Sequence, residues 1–281
     1  MATPLSASEQ IAHSTVRIEV ILNSGESGTG TGFIYKFAEN GTQHIPAIVT
    51  NKHVVQNSQR GSFHITFADD SGMPSYGDKE IFSFDNFESL WIMHPDPKID
   101  LCVMPIAPLL IKADQDGKSL YYTPLGDDLI PSDLELEDIT ALEDIVMVGY
   151  PNGIWDEKHN MPVFRQGITA THPNLDWNGN SEFLIDAACF PGSSGSPVFL
   201  FNLVGYTTKS KGMQIGTGRI KLLGILYAGP QHTVTGDIQI IKVPTIDKPI
   251  SVQQIPNNLG MVIKSKNLLV FNEILKNISK K

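Results

Sequence analysis

The chain is poor in cysteine, short of basic residues and without a long apolar run. Two cysteines among 281 residues, Cys102 and Cys189, cannot build a disulfide framework. Both lie in apolar runs and read as buried reduced thiols, which points to a reducing compartment and so to a cytoplasmic location. Lys plus Arg number 21 against 30 Asp plus Glu, a formal charge of −9. Such a surface repels phosphate, so no nucleic-acid partner is expected. No stretch approaches the roughly 18 apolar residues of a membrane span, so no membrane partner is expected either. Residues 1–10 lack both a basic start and an apolar block, and a secretory signal is not expected. No two histidines sit at metal-ligand spacing and the cysteines are far apart, so neither a metal site nor a cofactor is expected.

What is present is ample apolar material: 41% hydrophobic and 18% charged residues, enough for a sizeable core in one or two domains. Thr15–Leu22 alternates apolar and polar residues as a half-buried strand does. Further strands are expected at 33–37, 45–50, 63–67, 89–93 and 101–106. A second set is expected at 145–150, 162–170, 182–188, 197–203, 221–227 and 237–243. Helical periodicity is convincing only near the end, at 261–278. Many short strands separated by Gly and Pro turns argue for an all-β protein. Between the two sets, 127–144 carries eight acids and no Lys or Arg, and reads as a solvated acidic connection. The expected division is an N-terminal β-barrel at 12–126, the acidic connection at 127–144, a C-terminal β-barrel at 145–250 and a helical tail at 251–281.

The strongest chemical signal is Phe190-Pro-Gly-Ser-Ser-Gly-Ser-Pro-Val198. Glycines on either side of a serine pair, just before an apolar strand, suggest a tight turn that fixes a hydroxyl in an approachable place. In such a turn the N–H groups of Gly192 and Ser194 can converge on one spot, which is how an oxyanion hole is built. A serine hydroxyl needs a base. Of eight histidines, His53 stands out because it follows the apolar run 47–50, at the rim where sites are usually placed. The base in turn needs a carboxylate to orient it. Asp100 abuts the apolar run 101–104, whereas its competitor Asp96 lies between two prolines in a turn.

Chain order separates the serine-hydrolase types. Residues 195–231 contain no Asp or Glu, so the order Ser, acid, His is impossible with Ser194 as nucleophile. The order His53, Asp100, Ser194 is available, and it is the order that goes with all-β enzymes.

At this point the sequence resembles the trypsin-like, chymotrypsin-fold serine peptidases of the bacterial kind. The resemblance rests on four stretches in order: Gly30-Thr-Gly-Phe33, Thr50-Asn-Lys-His53, Ile99-Asp-Leu-Cys-Val103 and Gly192-Ser-Ser-Gly-Ser-Pro197. Gly149-Tyr-Pro151 and Leu223-Gly-Ile-Leu226 add to it, and it spans about 12–245. The resemblance implies two six-stranded β-barrels with a triad of His53, Asp100 and Ser194 in the cleft between them, to which the periodicity at 261–278 adds a C-terminal α-helix. It implies hydrolysis of a polypeptide substrate through an acyl-enzyme, without a cofactor.

The chain departs from relatives of known specificity. There is no Ile-Val-Gly-Gly-like start. Ala188 stands where a trypsin-like pocket carries Asp, and Leu226 where a glutamate-specific one carries His. A small apolar pocket formed by Ala188, Cys189, Tyr227 and Gly229 remains. The alternative readings are a catalytically inactive peptidase fold kept as a binding or scaffold module, and an esterase or acyltransferase on the same fold.

Overall fold

Most of the period-two runs of β-branched and aromatic residues form antiparallel strands in the computed structural model. It describes residues 4–229, 231–237, 250–256 and 258–279.

After a short helix α1 (Ala7–Ala12), the N-terminal half lays down β1 (Thr15–Leu22), β2 (Ser27–Asn40) and β3 (Gln43–Thr50). A helical turn α2 (Lys52–Val55) follows, then β4 (Ser58–Ala68), β5 (Pro74–Asp85), β6 (Ile92–Met93) and β7 (Cys102–Pro105). Helix α3 (Ala107–Gln115) and β8 (Leu120–Tyr121) complete it. These strands form one eight-stranded sheet in the order β5-β4-β1-β2-β3-β7-β6, with β8 attached to β4. The expected six-strand count is thus exceeded here, chiefly because β5 is long but largely polar and solvent-facing, and carries little apolar signal. In β1, Val16, Ile18 and Val20 point inward while Arg17 and Glu19 face outward, as the alternation predicts.

The acidic connection contains α4 (Asp133–Asp138), opened by a capping box in which Ser132 and Glu135 exchange side-chain-to-backbone hydrogen bonds. Its acids are not simply solvated. Asp127 accepts from the Tyr35 hydroxyl, Glu135 pairs with Lys221, Asp138 accepts from Ser210, and Glu143 forms a buried ion pair with Arg219.

The C-terminal half contains β9 (Asp144–Gly149), β10 (Val163–Thr169), β11 (Glu182–Asp186), β12 (Pro197–Asn202), β13 (Gly205–Thr208), β14 (Gly212–Ile215) and β15 (Arg219–Ala228). It continues with β16 (Gln231–Asp237), β17 (Ile250–Pro256), β18 (Leu259–Lys264) and α5 (Val270–Ile278). A closed barrel runs β10-β11-β18-β15-β12-β9; β13 pairs with β14 and β16 with β17 outside it. The strand expected at 237–243 falls, beyond its first residue, outside the described residues.

The helical pattern read over 261–278 holds only for 270–278, and 259–264, placed in a helical tail by the sequence, is the strand that closes the barrel. Leu259–Lys264 pairs with β11 on one side and β15 on the other, so its backbone groups gain ladders that a helix could not offer there. α5 then lies against β2, burying Phe271 and Leu275, while Asn272 accepts from Ala38 N and donates to Asp127. The largest apolar cluster joins both halves: Phe33, Val49 and Leu101 from the first meet Val148, Phe199 and Ile263 from the second. Among the described residues no helix is long and apolar enough to cross a membrane. Cys102 and Cys189 are both free and buried, as their apolar surroundings indicate.

Candidate active site

The site is assembled from the C-terminal ends of β3 and the loops before β7 and β12. β3 is buried to its last residue, Thr50, and α2 then turns Val54 and Val55 into the core. That leaves His53 on the open side, with its side chain nearly half exposed at 46%. The loop before β7 brings Asp100 to it. The Asp100 carboxylate accepts from His53 N at 3.1 Å and meets His53 Nδ1 at 2.5 Å. Asn51 Nδ2 donates to the Asp100 carbonyl at 2.8 Å, and Lys52 Nζ donates to the Asp96 carbonyl at 3.0 Å. Three successive residues of the histidine segment therefore grip the aspartate loop. The Asp96 side chain is occupied elsewhere, accepting from Lys98 N within its own turn.

The serine turn is placed by the first half of the molecule. Thr31, on β2, donates from N to the Ser194 carbonyl at 2.8 Å and from its hydroxyl to the Gly192 carbonyl at 2.9 Å. The same hydroxyl accepts from Tyr150 N at 3.0 Å, and the Thr31 carbonyl accepts from the Thr50 hydroxyl at 2.7 Å. Gly195, with φ +89, sits so close that a Cβ there would stand 1.8 Å from the Thr31 carbonyl oxygen and 2.5 Å from Thr50 Oγ1. The serine turn and the strand that ends just before His53 are thus in direct contact.

Peptide planarity then decides where two N–H groups point. In a trans peptide the carbonyl and the following N–H are directed oppositely. The Pro191 carbonyl accepts from Asn152 N at 2.5 Å, so Gly192 N–H faces away from Asn152. The Ser193 carbonyl accepts from Ser196 N at 3.0 Å, so Ser194 N–H faces away from that turn. Among the described residues neither N–H donates to any acceptor. Gly192 has φ +84, a left-handed conformation that favours glycine.

Ser194 is partly exposed and its hydroxyl donates to the Tyr227 carbonyl at 3.4 Å, not to His53. Ser193, fully buried, accepts from Arg165 instead. A cavity of about 110 Å³ opens beside Ser194, lined by Cys189, Phe190, Pro191, Leu226, Ala228 and Gly229. Of the expected pocket residues, Cys189 and Gly229 line it. Ala188 does not: its carbonyl is turned onto Arg165. Tyr227 contributes its backbone carbonyl beside Ser194, while its ring hydroxyl donates to Glu182 at 2.5 Å. Burial pushes the Cys189 thiol up to about 11, so it is a neutral wall of this cavity. The sequence reading missed Thr31 and Arg165. Thr31 lies within the Gly30-Thr-Gly-Phe33 stretch, but nothing local says which carbonyl its hydroxyl reaches. Among the described residues no cluster of three or more His, Cys, Asp or Glu side chains is arranged to hold a metal ion.

A barrel joined to a second β-sheet, with a His–Asp pair and a glycine-flanked serine turn at their junction, defines the class of trypsin-like peptidase folds. The family described as the trypsin-like peptidase domain matches residues 30–205, well over half of the chain, and the chain belongs to that family. No curated protein matches it. Among solved structures it is similar to the HtrA-type protease AlgW with tripeptide, at 17% identity and a TM-score of 0.48, over 96% of this chain and 63% of that one. It is also similar to the Rv3671c protease from M. tuberculosis in its active form, at 13% identity and a TM-score of 0.43, over 93% of this chain and 80% of that one. The chain spans under two thirds of the AlgW chain.

Proposed function

We propose that the protein is a serine endopeptidase in which Ser194 attacks the scissile carbonyl, His53 carries the proton and Asp100 orients His53. The observation that carries this reading is the 2.5 Å contact between His53 Nδ1 and Asp100 on a rim stitched to the serine turn. A carboxylate on Nδ1 leaves Nε2 as the base and stabilises the imidazolium once it forms. In this reading Ser194 Oγ leaves the Tyr227 carbonyl and turns to that base. His53 then gives the proton to the leaving amine, and water cleaves the acyl-enzyme by the reverse path. The free N–H groups of Gly192 and Ser194 stabilise the oxyanion, an effect whose loss typically costs about 10²–10³ in rate per donor.

The 110 Å³ cavity is the P1 pocket in this reading, and it suits a small or medium aliphatic side chain such as Ala, Val or Leu. A basic P1 would be buried without a counter-charge, because no charged residue lines the cavity. An acidic P1 finds no cationic side chain on the cavity wall, and Arg165 is engaged with Ala188 and Ser193.

The resting hydrogen bond from Ser194 to Tyr227 favours a second reading, a peptidase fold that binds without cleaving. A fluorophosphonate probe separates the two. Labelling of the wild type that is lost in Ser194→Ala and kept in Ser193→Ala supports the endopeptidase; an unlabelled wild type supports the binding module. Cleavage-site profiling on a denatured proteome then reads P1, and cuts after Lys, Arg or Glu would overturn the pocket assignment alone.

A further inference from the structure

Arg165 has no place in the mechanism above, yet it touches the serine turn at two points. It stands near the start of β10, opposite Met147 of β9. One terminal nitrogen donates to the Ala188 carbonyl, at the beginning of the turn. The other donates to Ser193 Oγ at 2.5 Å, between the two free N–H groups. Ser193 Oγ also accepts from Phe190 N at 3.4 Å, which draws the turn around the hydroxyl. The Arg165 Nε is buried without a partner, and among the described residues no carboxylate pairs with the guanidinium. Desolvation holds its pKa below the usual arginine range, though an arginine remains a cation at any working pH. Arg165 opposes the effect of burial on the Cys189 thiol of the cleft wall, while the Asp186 carboxylate acts on that thiol in the opposite sense.

A half-buried cation with no carboxylate in contact is unfavourable in the resting protein. It becomes favourable when negative charge develops nearby. We propose that Arg165 is a positioning residue for the oxyanion site: it clamps Ala188 to Ser193, so that Gly192 and Ser194 keep their N–H groups in the cleft, and its charge lies under the turn where the oxyanion forms. This rests on the endopeptidase reading. The substrate carbonyl is neutral in the ground state and anionic in the transition state, so the contribution falls on kcat and not on KM.

The test uses the full chain as wild type, Arg165→Met, Arg165→Lys and Ser193→Ala. Each is measured for kcat and KM on a peptide anilide with an aliphatic P1. Each is also measured for affinity to a peptidyl trifluoromethyl ketone, which forms the oxyanion adduct, and to the matching alcohol, which does not. Arg165→Met is expected to lower kcat about tenfold to a hundredfold, below the loss of a whole oxyanion donor. KM and alcohol affinity should stay within about twofold, and the ketone should weaken by the same factor as kcat. Arg165→Lys should recover most of the loss by restoring the charge. Ser193→Ala should lose about threefold to tenfold. A loss confined to KM, an equal loss of ketone and alcohol, or an unchanged kcat in Arg165→Met overturns the proposal. If Arg165→Met does not fold, Ser193→Ala decides, and an unchanged kcat there overturns it. A wild type that reacts with neither fluorophosphonate nor anilide overturns the endopeptidase reading and this inference together. A reactive wild type with indifferent variants overturns this inference alone.

Discussion

The hydroxyl of Thr31 donates to the carbonyl of Gly192 at 2.9 Å across 161 residues of sequence. Through this bond the first half of the chain orients the turn that the second half contributes. The Gly192 carbonyl is held toward Thr31, and Ser193 N is thereby turned back to the Phe190 carbonyl. The path of the turn follows from those two directions.

Replacing Thr31 by valine keeps its shape and removes its hydroxyl. The Gly192 carbonyl and Tyr150 N would both lose their partner in a buried place. An unsatisfied buried group costs about 1–3 kcal/mol. Thr31→Val is expected to lower unfolding free energy by that order in urea titrations and to reduce kcat, while Thr31→Ser, which keeps the hydroxyl, should stay close to wild type in both.

Asp100→Asn should leave the fold intact and lower kcat by about 10⁴, as a wrong histidine tautomer does. Asp96→Asn should change kcat little, because the Asp96 carboxylate serves only its own turn at Lys98 N. Steady-state hydrolysis of one peptide substrate by both variants checks this, and an inactive Asp96→Asn would reverse the assignment.

Two glycines with nearly the same backbone angle should respond differently to alanine. Gly25 has φ +88 and open space around it, whereas Gly195 has φ +89 with the Thr31 carbonyl oxygen 1.8 Å from the new Cβ. Gly25→Ala should cost only the left-handed penalty of about 1–2 kcal/mol. Gly195→Ala must also move β2 or the serine turn, and should abolish probe labelling. Denaturation midpoints and labelling measure the two effects separately.

Acidification should weaken the fold through its buried histidines. His13, His64 and His94 are all held below the ordinary imidazole value, each mainly by burial; for His64 the charge of Lys79 adds to it. His13 Nε2 and His64 Nδ1 are buried without partners beside the same small cavity. Because the unfolded chain binds these protons first, their contribution is complete above about pH 6.5 and is lost as pH falls from there through the depressed folded values. Each proton taken up contributes a slope of up to about 1.4 kcal/mol per pH unit. Urea midpoints should fall between pH 7 and pH 5, above the window where Asp69, Asp138 and Asp156, with carboxyls held low by hydrogen bonds, begin to protonate. A flat profile between pH 7 and pH 5 would contradict this.

Residue types and spacing along the chain determined a good deal. The alternation of Val16, Ile18 and Val20 specified a strand, and the glycines around Ser194 specified a tight turn, in which Gly192 and Gly195 take left-handed φ. The order His53, Asp100, Ser194 selected an all-β architecture over the α/β alternative. These are local facts, set by side-chain period and backbone sterics. Tertiary structure decided the rest. Met261, Val262 and Ile263 are apolar residues that suit a helix as well as a strand, and the open edges of β11 and β15 made them a strand. Asp100 was preferred over Asp96 by context, but its contact with His53 needed the loop to fold back. The hydroxyl of Thr31, the direction of Ser194 Oγ and the reach of Arg165 to Ser193 depend on groups 161, 33 and 28 residues away in sequence. A hydrogen bond is decided by distances of a few tenths of an ångström between distant segments, and sequence order carries no such distances.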